Sequence, residues 1–238
     1  MSRINIVGWQ ILLSLGFLAV SYYLVFVLWY PSPLDKLAGV LRVYLIFVAA
    51  IFILGPFLVF VVFKKNRVIP WVDIFVVASL QVTSFFYGMF VIYQGRPVWL
   101  VFVVDDFELV RSVDIYRTET DVLYEERFWQ RPRFVAAVYS SDGNVRSIQQ
   151  QEEIFEGVSL ARRPETFVAL EGRAAEVLKK SRSFDDLFLV NDPGSIERVL
   201  KKYPLSCGWL PLKGVDVDMI VLVDKRGDVL GVEELKPW

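Results

Sequence analysis

The stretch WVDIFVVASLQVTSFFYGMFVIYQGRPVWLVFVV, residues 71–104, changes its rule of construction midway. Its first 23 residues, 71–93, carry a single charge, Asp73, close to the start. That meets the roughly 20-residue length an α-helix needs to cross about 30 Å of hydrocarbon. Beyond Gly95, Arg96 and Pro97, the run 98–104 is β-branched and aromatic without a break, ends at Asp105-Asp106 and resumes over 107–110. This is the pattern of a strand, a turn and a second strand. A spanning helix thus passes into a sheet within a few residues, which predicts a sheet seated directly on a membrane bundle.

Upstream, residues 4–30 are 27 positions without a charge, longer than the apolar core of a signal peptide and without a small-x-small cleavage site, so they read as a retained span. Residues 43–63 add 21 more uncharged positions. Three spans follow, about 4–30, 43–63 and 71–93. Trp9, Trp29, Tyr30, Tyr44, Trp71 and Tyr93 lie at or near their ends, where amphipathic rings favour the lipid–water boundary. Lys64, Lys65 and Arg67 crowd the loop between spans two and three, whereas Lys36 and Arg42 are spread over the loop between spans one and two. The dense loop, with Arg3 and the amino terminus, is therefore expected on the cytoplasmic side and the C-terminal domain outside the cytoplasm.

The whole-chain figures average over this division. The 238 residues are 55% hydrophobic and 22% charged, with a mean hydropathy of +0.44, too apolar for one soluble domain. Residues 1–93 hold six bases and two acids, and residues 94–238 hold 20 bases and 25 acids. A mildly acidic external domain argues against a nucleic-acid partner. One Cys and no His exclude an internal disulfide, Ser/His and Cys/His nucleophile pairs, and nearly all zinc sites.

Polar residues inside the spans form seams. At about 100° per residue, Asp73, Gln81, Ser84 and Gly88 share an arc of about 80° on span three, and Gln10, Ser14 and Ser21 share about 40° on span one. Two readings stay open: the seams hold the three helices together, or one of them docks the transmembrane helix of a client. Gly55-Pro56, midway along span two, implies a bend that either opens a groove or improves packing.

The external domain, 94–238, reads as a small α+β unit with an antiparallel sheet. Residues 134–139 form a further strand, closed by the turn Ser141-Asp142-Gly143; 145–156 and 173–180 read as helices. Asp192 caps a short helix that ends at Lys202 before Pro204, and 217–223 with 229–232 form a hairpin around Lys225–Asp228. Several acidic pairs, Asp105-Asp106, Glu152-Glu153, Asp185-Asp186 and Glu233-Glu234, read as solvated turns or element ends, since neighbours on a strand point to opposite faces. Arg131-Pro132-Arg133 and Arg162-Arg163-Pro164 read as surface charge or lipid-headgroup contacts, and Cys207 as a small core residue. No phosphate-cradling loop, nucleophile elbow or calcium-loop spacing is present, so no catalytic residue, cofactor, metal or small-molecule substrate is expected.

In order along the chain, Gly55-Pro56-Phe57-Leu58 with Val62-Phe63-Lys64, Gln81 with Tyr87-Gly88, Arg96-Pro97 with Val101-Phe102 and residues 105–107, then Pro204-Leu205, Leu210-Pro211-Leu212, residues 221–227 and the closing Leu235-Lys236-Pro237-Trp238 carry a resemblance. The chain resembles the type IV pilin accessory proteins (the TfpX/TfpZ and FimB-like group), three-span inner-membrane proteins of Gram-negative bacteria encoded beside a major pilin. It departs from them at Asp106, where that family usually has Arg. The resemblance implies a non-enzymatic, chaperone-like factor that stabilises the major pilin or promotes its assembly, contacting both the pilin's membrane helix and its head, in an inner membrane whose lipid is the other partner. Pro56, Gln81, Ser84 and Gly88 are then the candidate contacts for the pilin helix. Arg96, Pro97, Asp105 and Phe107 are the candidates for the pilin head or for the junction between domain and membrane. The competing readings are a membrane-anchored enzyme that modifies pilin or an envelope glycan through carboxylates, and a scaffold or sensor of another envelope machine.

Overall fold

The computed structural model describes residues 3–62, 71–116 and 124–238. Helix α1 (Arg3–Tyr22) continues as a π-helical segment, Tyr23–Trp29; the short α2 (Leu34–Leu37) leads into α3 (Val40–Val62), and α4 is Trp71–Gln94. Two stretches, Ile11–Trp29 and Phe75–Gln94, are long and apolar enough to cross a membrane, and Val40–Ile51 is a shorter apolar helical stretch. Three spans are therefore not established among the described residues. Phe63, and the Lys64, Lys65 and Arg67 that set the expected orientation, lie outside them.

Helix α3 packs against both α1 and α4 around Val25, Tyr44, Phe47, Phe85 and Met89. Where α3 and α4 pack together, a side chain on Gly88 would overlap the Phe47 ring. Outward, the helices present Leu12 (61% exposed), Ile46 and Phe86 (65%).

The rest of the chain forms one seven-stranded sheet: β1 (Pro97–Val103), β2 (Asp106–Arg111), β3 (Arg133–Ala137), β4 (Phe167–Val168), β5 (Ser206–Lys213), β6 (Met219–Asp224) and β7 (Val229–Glu233), in the order β4-β3-β1-β2-β5-β6-β7. The expected antiparallel sheet is corrected to a mixed one. β1–β2 and β6–β7 are the anticipated antiparallel neighbours; β5, which no expected strand covers, pairs antiparallel with β6, while β3 lies parallel to β1 and β5 parallel to β2. Hairpins follow from local turns, whereas parallel pairs require long crossovers that no local pattern announces.

β1 explains its own composition. Leu100 and Phe102 enter one core, while Trp99, Val101 and Val103 enter a second on the opposite face, so a continuous apolar run is what a strand buried on both sides requires. β6 behaves alike, with Met219, Val221 and Val223 on the first face and Ile220 and Leu222 on the other. Helices α5 (Gly143–Glu156) and α7 (Pro193–Lys202) begin at Asp142 and Asp192, whose carboxylates accept from the first-turn amides. Between them lies α6 (Ala174–Lys180), and Gly227, at φ +85, packs where any side chain would overlap the Ala174 carbonyl.

Bundle and sheet are joined by more than the two residues between α4 and β1. The segment after the π-helical turn inserts into the sheet: Leu34 and Leu37 belong to the same core as Leu100, Phe107 and Met219. The Leu37 carbonyl accepts from the amides of Val215 and Asp216 at 3.0 and 3.1 Å.

Candidate functional site

Of the residues read as a pilin-helix contact, two are used inside the bundle. Gln81, 1% exposed, donates from Nε2 to Ser14 Oγ of α1 at 2.9 Å, and Gly88 provides the close approach to α3. Ser21 joins the same polar interior, sharing a 3.0 Å hydrogen bond with the Tyr44 hydroxyl. Ser84 is half-buried on α4, and Pro56 lies within α3, its side chain outside the described part. Asp73 and Gln10 of the expected seams have side chains outside it as well.

The second group is a structural junction. Arg96, 1% exposed, lies between bundle and sheet: its guanidinium donates to Glu126 at 2.9 Å and to the Tyr93 carbonyl at 3.0 Å, and stacks over the Tyr93 ring at 3.6 Å. Ser112 Oγ donates to the same Glu126 carboxylate at 2.6 Å, and the Ser112 amide donates to the Arg96 carbonyl. A buried cation demands a partner of this kind, because desolvating an isolated charge costs several kcal/mol. The chain after Glu126 then caps the helix ends. Phe128 packs its ring 5.3 Å from Trp29 and 5.2 Å from Tyr93, and its carbonyl accepts from Trp29 Nε1 at 3.1 Å. Beyond Arg96, Pro97 is buried, pairing with Arg111. There the Arg111 guanidinium holds Asp114 by two hydrogen bonds, of 2.7 and 2.9 Å; burial pushes the Asp114 carboxyl up, and the guanidinium outweighs it and holds the group below the usual range.

Phe107 is not available to a partner as a surface residue. It is fully buried, with its ring 5.4 Å from Phe102 and 5.7 Å from Phe134. Asp105 is exposed at the tip of the β1–β2 hairpin beside Val104, whose φ of 59° is costly for a β-branched residue. The reading of Asp106 as part of the turn is corrected: it belongs to β2, and its carboxylate meets Lys213 at 2.5 Å. Burial raises the Asp106 carboxyl while the neighbouring ammonium pulls it back, and Lys213 is held above its ordinary value by that carboxylate.

Other surface expectations shift similarly. Arg163 is buried, pairing with Glu152 and lying 3.6 Å from Glu165, so it is not surface charge. Glu153 receives the Tyr139 hydroxyl, and Glu233 and Glu234 pair with Lys202 and Lys36, each at 2.6 Å. Cys207 is exposed rather than a core residue, because it sits at the start of β5 where the register with β6 shifts. Among the described residues no group of three His, Cys, Asp or Glu is placed to hold a metal ion.

Sequence reasoning missed the insertion of Leu34 and Leu37 into the sheet. The only signal for it was a pair of leucines three apart behind two prolines in a loop otherwise read as a connector.

Comparison with known proteins finds relatives of the chain by sequence. The chain is 26% identical over 243 residues to the "Fimbrial assembly protein, serogroup I" of Dichelobacter nodosus, covering 97% of this chain and 94% of that one. It is 25% identical, with the same coverage, to that organism's "Fimbrial assembly protein, serogroup E1". With the "Fimbrial assembly protein, serogroups C1 and C2", it is 31% identical over 117 residues, 48% of this chain and 89% of the relative. No family model matches the chain, and no solved structure does.

Proposed function

We propose, since this chain belongs to the fimbrial assembly protein family, that it is a type IV pilin accessory protein of the bacterial inner membrane, which binds the major pilin and stabilises it or promotes its assembly into the fibre. One observation carries the reading: the likeness to relatives named for fimbrial assembly runs through 97% of the chain, across the apolar helices and the sheet domain alike. Both parts therefore belong to one task.

In this reading three helices, 4–30, 43–63 and 71–93, anchor the chain with its amino terminus in the cytoplasm, and residues 94–238 face the periplasm. The polarity of the bundle supports the anchor, since Ser14, Ser21 and Gln81 are buried while Leu12, Ile46 and Phe86 face outward. A pilin waiting in the same membrane offers a helix in lipid and a head outside. Two modest contacts made together bind far more tightly than either alone. Ser84 and Pro56 remain the helix contacts in this proposal, and Asp105, at an exposed hairpin tip, the head contact. Arg96 and Pro97 hold the domain in place over the bundle, and Phe107 fills the sheet core. The protein acts by binding and not by catalysis, which accords with carboxylates committed to structural pairs.

Deleting the gene and measuring the amount of major pilin and the number of surface pili tests this. Loss of either is the expected result, restored by the intact chain; unchanged pilin with normal piliation overturns it.

A further inference from the structure

The sheet is open along one side. β3 and β7 stand five places apart in strand order, yet Phe134 of one and Gly231 and Val232 of the other line a single groove of about 720 Å³, with Leu100 of β1 also in its lining. The sheet therefore curls into an incomplete barrel. A second hollow of about 230 Å³ lies beyond Phe134 and reaches Val229 at the other end of β7.

Strand edges flank the gap, and α7 with residues 31–34 lines it as well. β7 pairs only with β6, and β3 meets β4 only through Ala136 and Ala137, so among the described residues the outer edges of β7 and of 133–135 have no strand partner. Such edges carry rows of N–H and C=O groups that invite another strand. One extended segment lying in the gap would supply hydrogen bonds to either edge.

The direction of the strands locates the mouth of the groove. β1 leaves α4 across Gly95 and Arg96, so its start marks the helix-proximal end of the sheet. β3 runs parallel to β1 and begins at that end. Alternation from β1 through β2, parallel β5 and β6 brings β7 back so that Glu233 also lies there. The larger hollow accordingly opens beside Pro31 and Pro33, just past Trp29, where the first apolar helix ends. On its rim Lys202 is already paired with Glu233, and Lys36 with Glu234. Arg198 bonds only the Gly194 carbonyl and Ser195 Oγ and has no carboxylate partner among the described residues.

We propose that this groove is a strand-acceptor site, and that its occupant is an extended segment on the membrane-proximal side of the pilin head. This rests on the pilin-binding reading above. Alternate apolar side chains of the segment face Leu100 and Val232, and an acidic side chain meets Arg198, the complement that the rim lacks. The position beside the helix ends selects a partner that is itself anchored in the membrane.

The test uses the full chain in its own membrane, co-expressed with the organism's major pilin and carrying a photoreactive phenylalanine analogue in place of Val232. The expected result is a crosslink to pilin, mapped by mass spectrometry to alternate residues of one head segment. Arg198→Glu lowers its yield about tenfold, and Arg198→Lys retains it. If pilin co-purifies with the chain but the probe captures only the chain itself, a second copy, or another protein, the groove assignment falls and the accessory reading stands. If pilin neither co-purifies nor changes in amount on deletion, both fall.

Discussion

The helical bundle and the sheet domain both bury apolar cores but differ in how helices and strands are held to one another and in what the bundle's outer face exposes. In the bundle, Ser14, Ser21 and Gln81 are buried and Leu12, Ile46 and Phe86 are exposed; in the sheet, Leu37, Phe107, Leu210 and Val221 are buried and the lysines lie outside. The difference teaches which medium each half is built for. Water rewards removal of apolar surface, at about 25 cal/mol per Å², so the sheet conceals it. In the membrane setting proposed for the bundle, lipid offers no such reward, and helices are held there by close approach, as at Gly88, and by polar contacts such as Gln81 to Ser14.

The sharpest way to probe this contrast is at the residue that links the halves. Leu37→Ala removes a fully buried side chain from the sheet core and is expected to cost about 3 kcal/mol. Thermal unfolding of the detergent-solubilised chain should show it, and a change under 1 kcal/mol would mean that the inserted loop contributes nothing to the domain.

Phe86→Arg addresses the bundle's outer face. On a helix in lipid it should raise the insertion cost by about 3 kcal/mol and reduce the membrane-inserted fraction in a glycosylation-mapping assay. On a helix in water the same change would be harmless, and that outcome would break the comparison.

The smallest expected effect comes from Gln81→Leu. It deletes the interhelical hydrogen bond to Ser14, and a bond of that kind is worth about 0.6 kcal/mol in a membrane. Unfolding in bicelles should register that modest loss, and a change several times larger would reveal that the polar interior does more than hold α1 to α4.

What could be read beforehand divides along the range of the interactions. The switch at residues 94–97 from helix to strand, the cap at Asp192 and the hairpin around Lys225–Asp228 depend on neighbours in the chain, and the structure shows each of them. The burial of Phe107, the pairing of Asp106 with Lys213 and that of Arg163 with Glu152 depend on partners brought from elsewhere in the fold. An isolated Asp or Arg on a turn-like stretch therefore looked solvated. Of the expected polar seams, Gln81 and Ser14 meet across α1 and α4, while the side chains of Asp73 and Gln10 lie outside the described part; which surface a seam meets was not legible. Two of the proposed pilin contacts, Gln81 and Gly88, proved to face α1 and α3.

The sequence by itself determined the division of the chain into an apolar helical part and a charged sheet part, since hydropathy and periodicity act within a few turns or strands. Only the tertiary structure decided that the sheet is mixed, that Leu34 and Leu37 belong to its core and that its two sides leave a groove between them. These follow from how distant strands order and curl, and long crossovers leave no local imprint on the residues they connect.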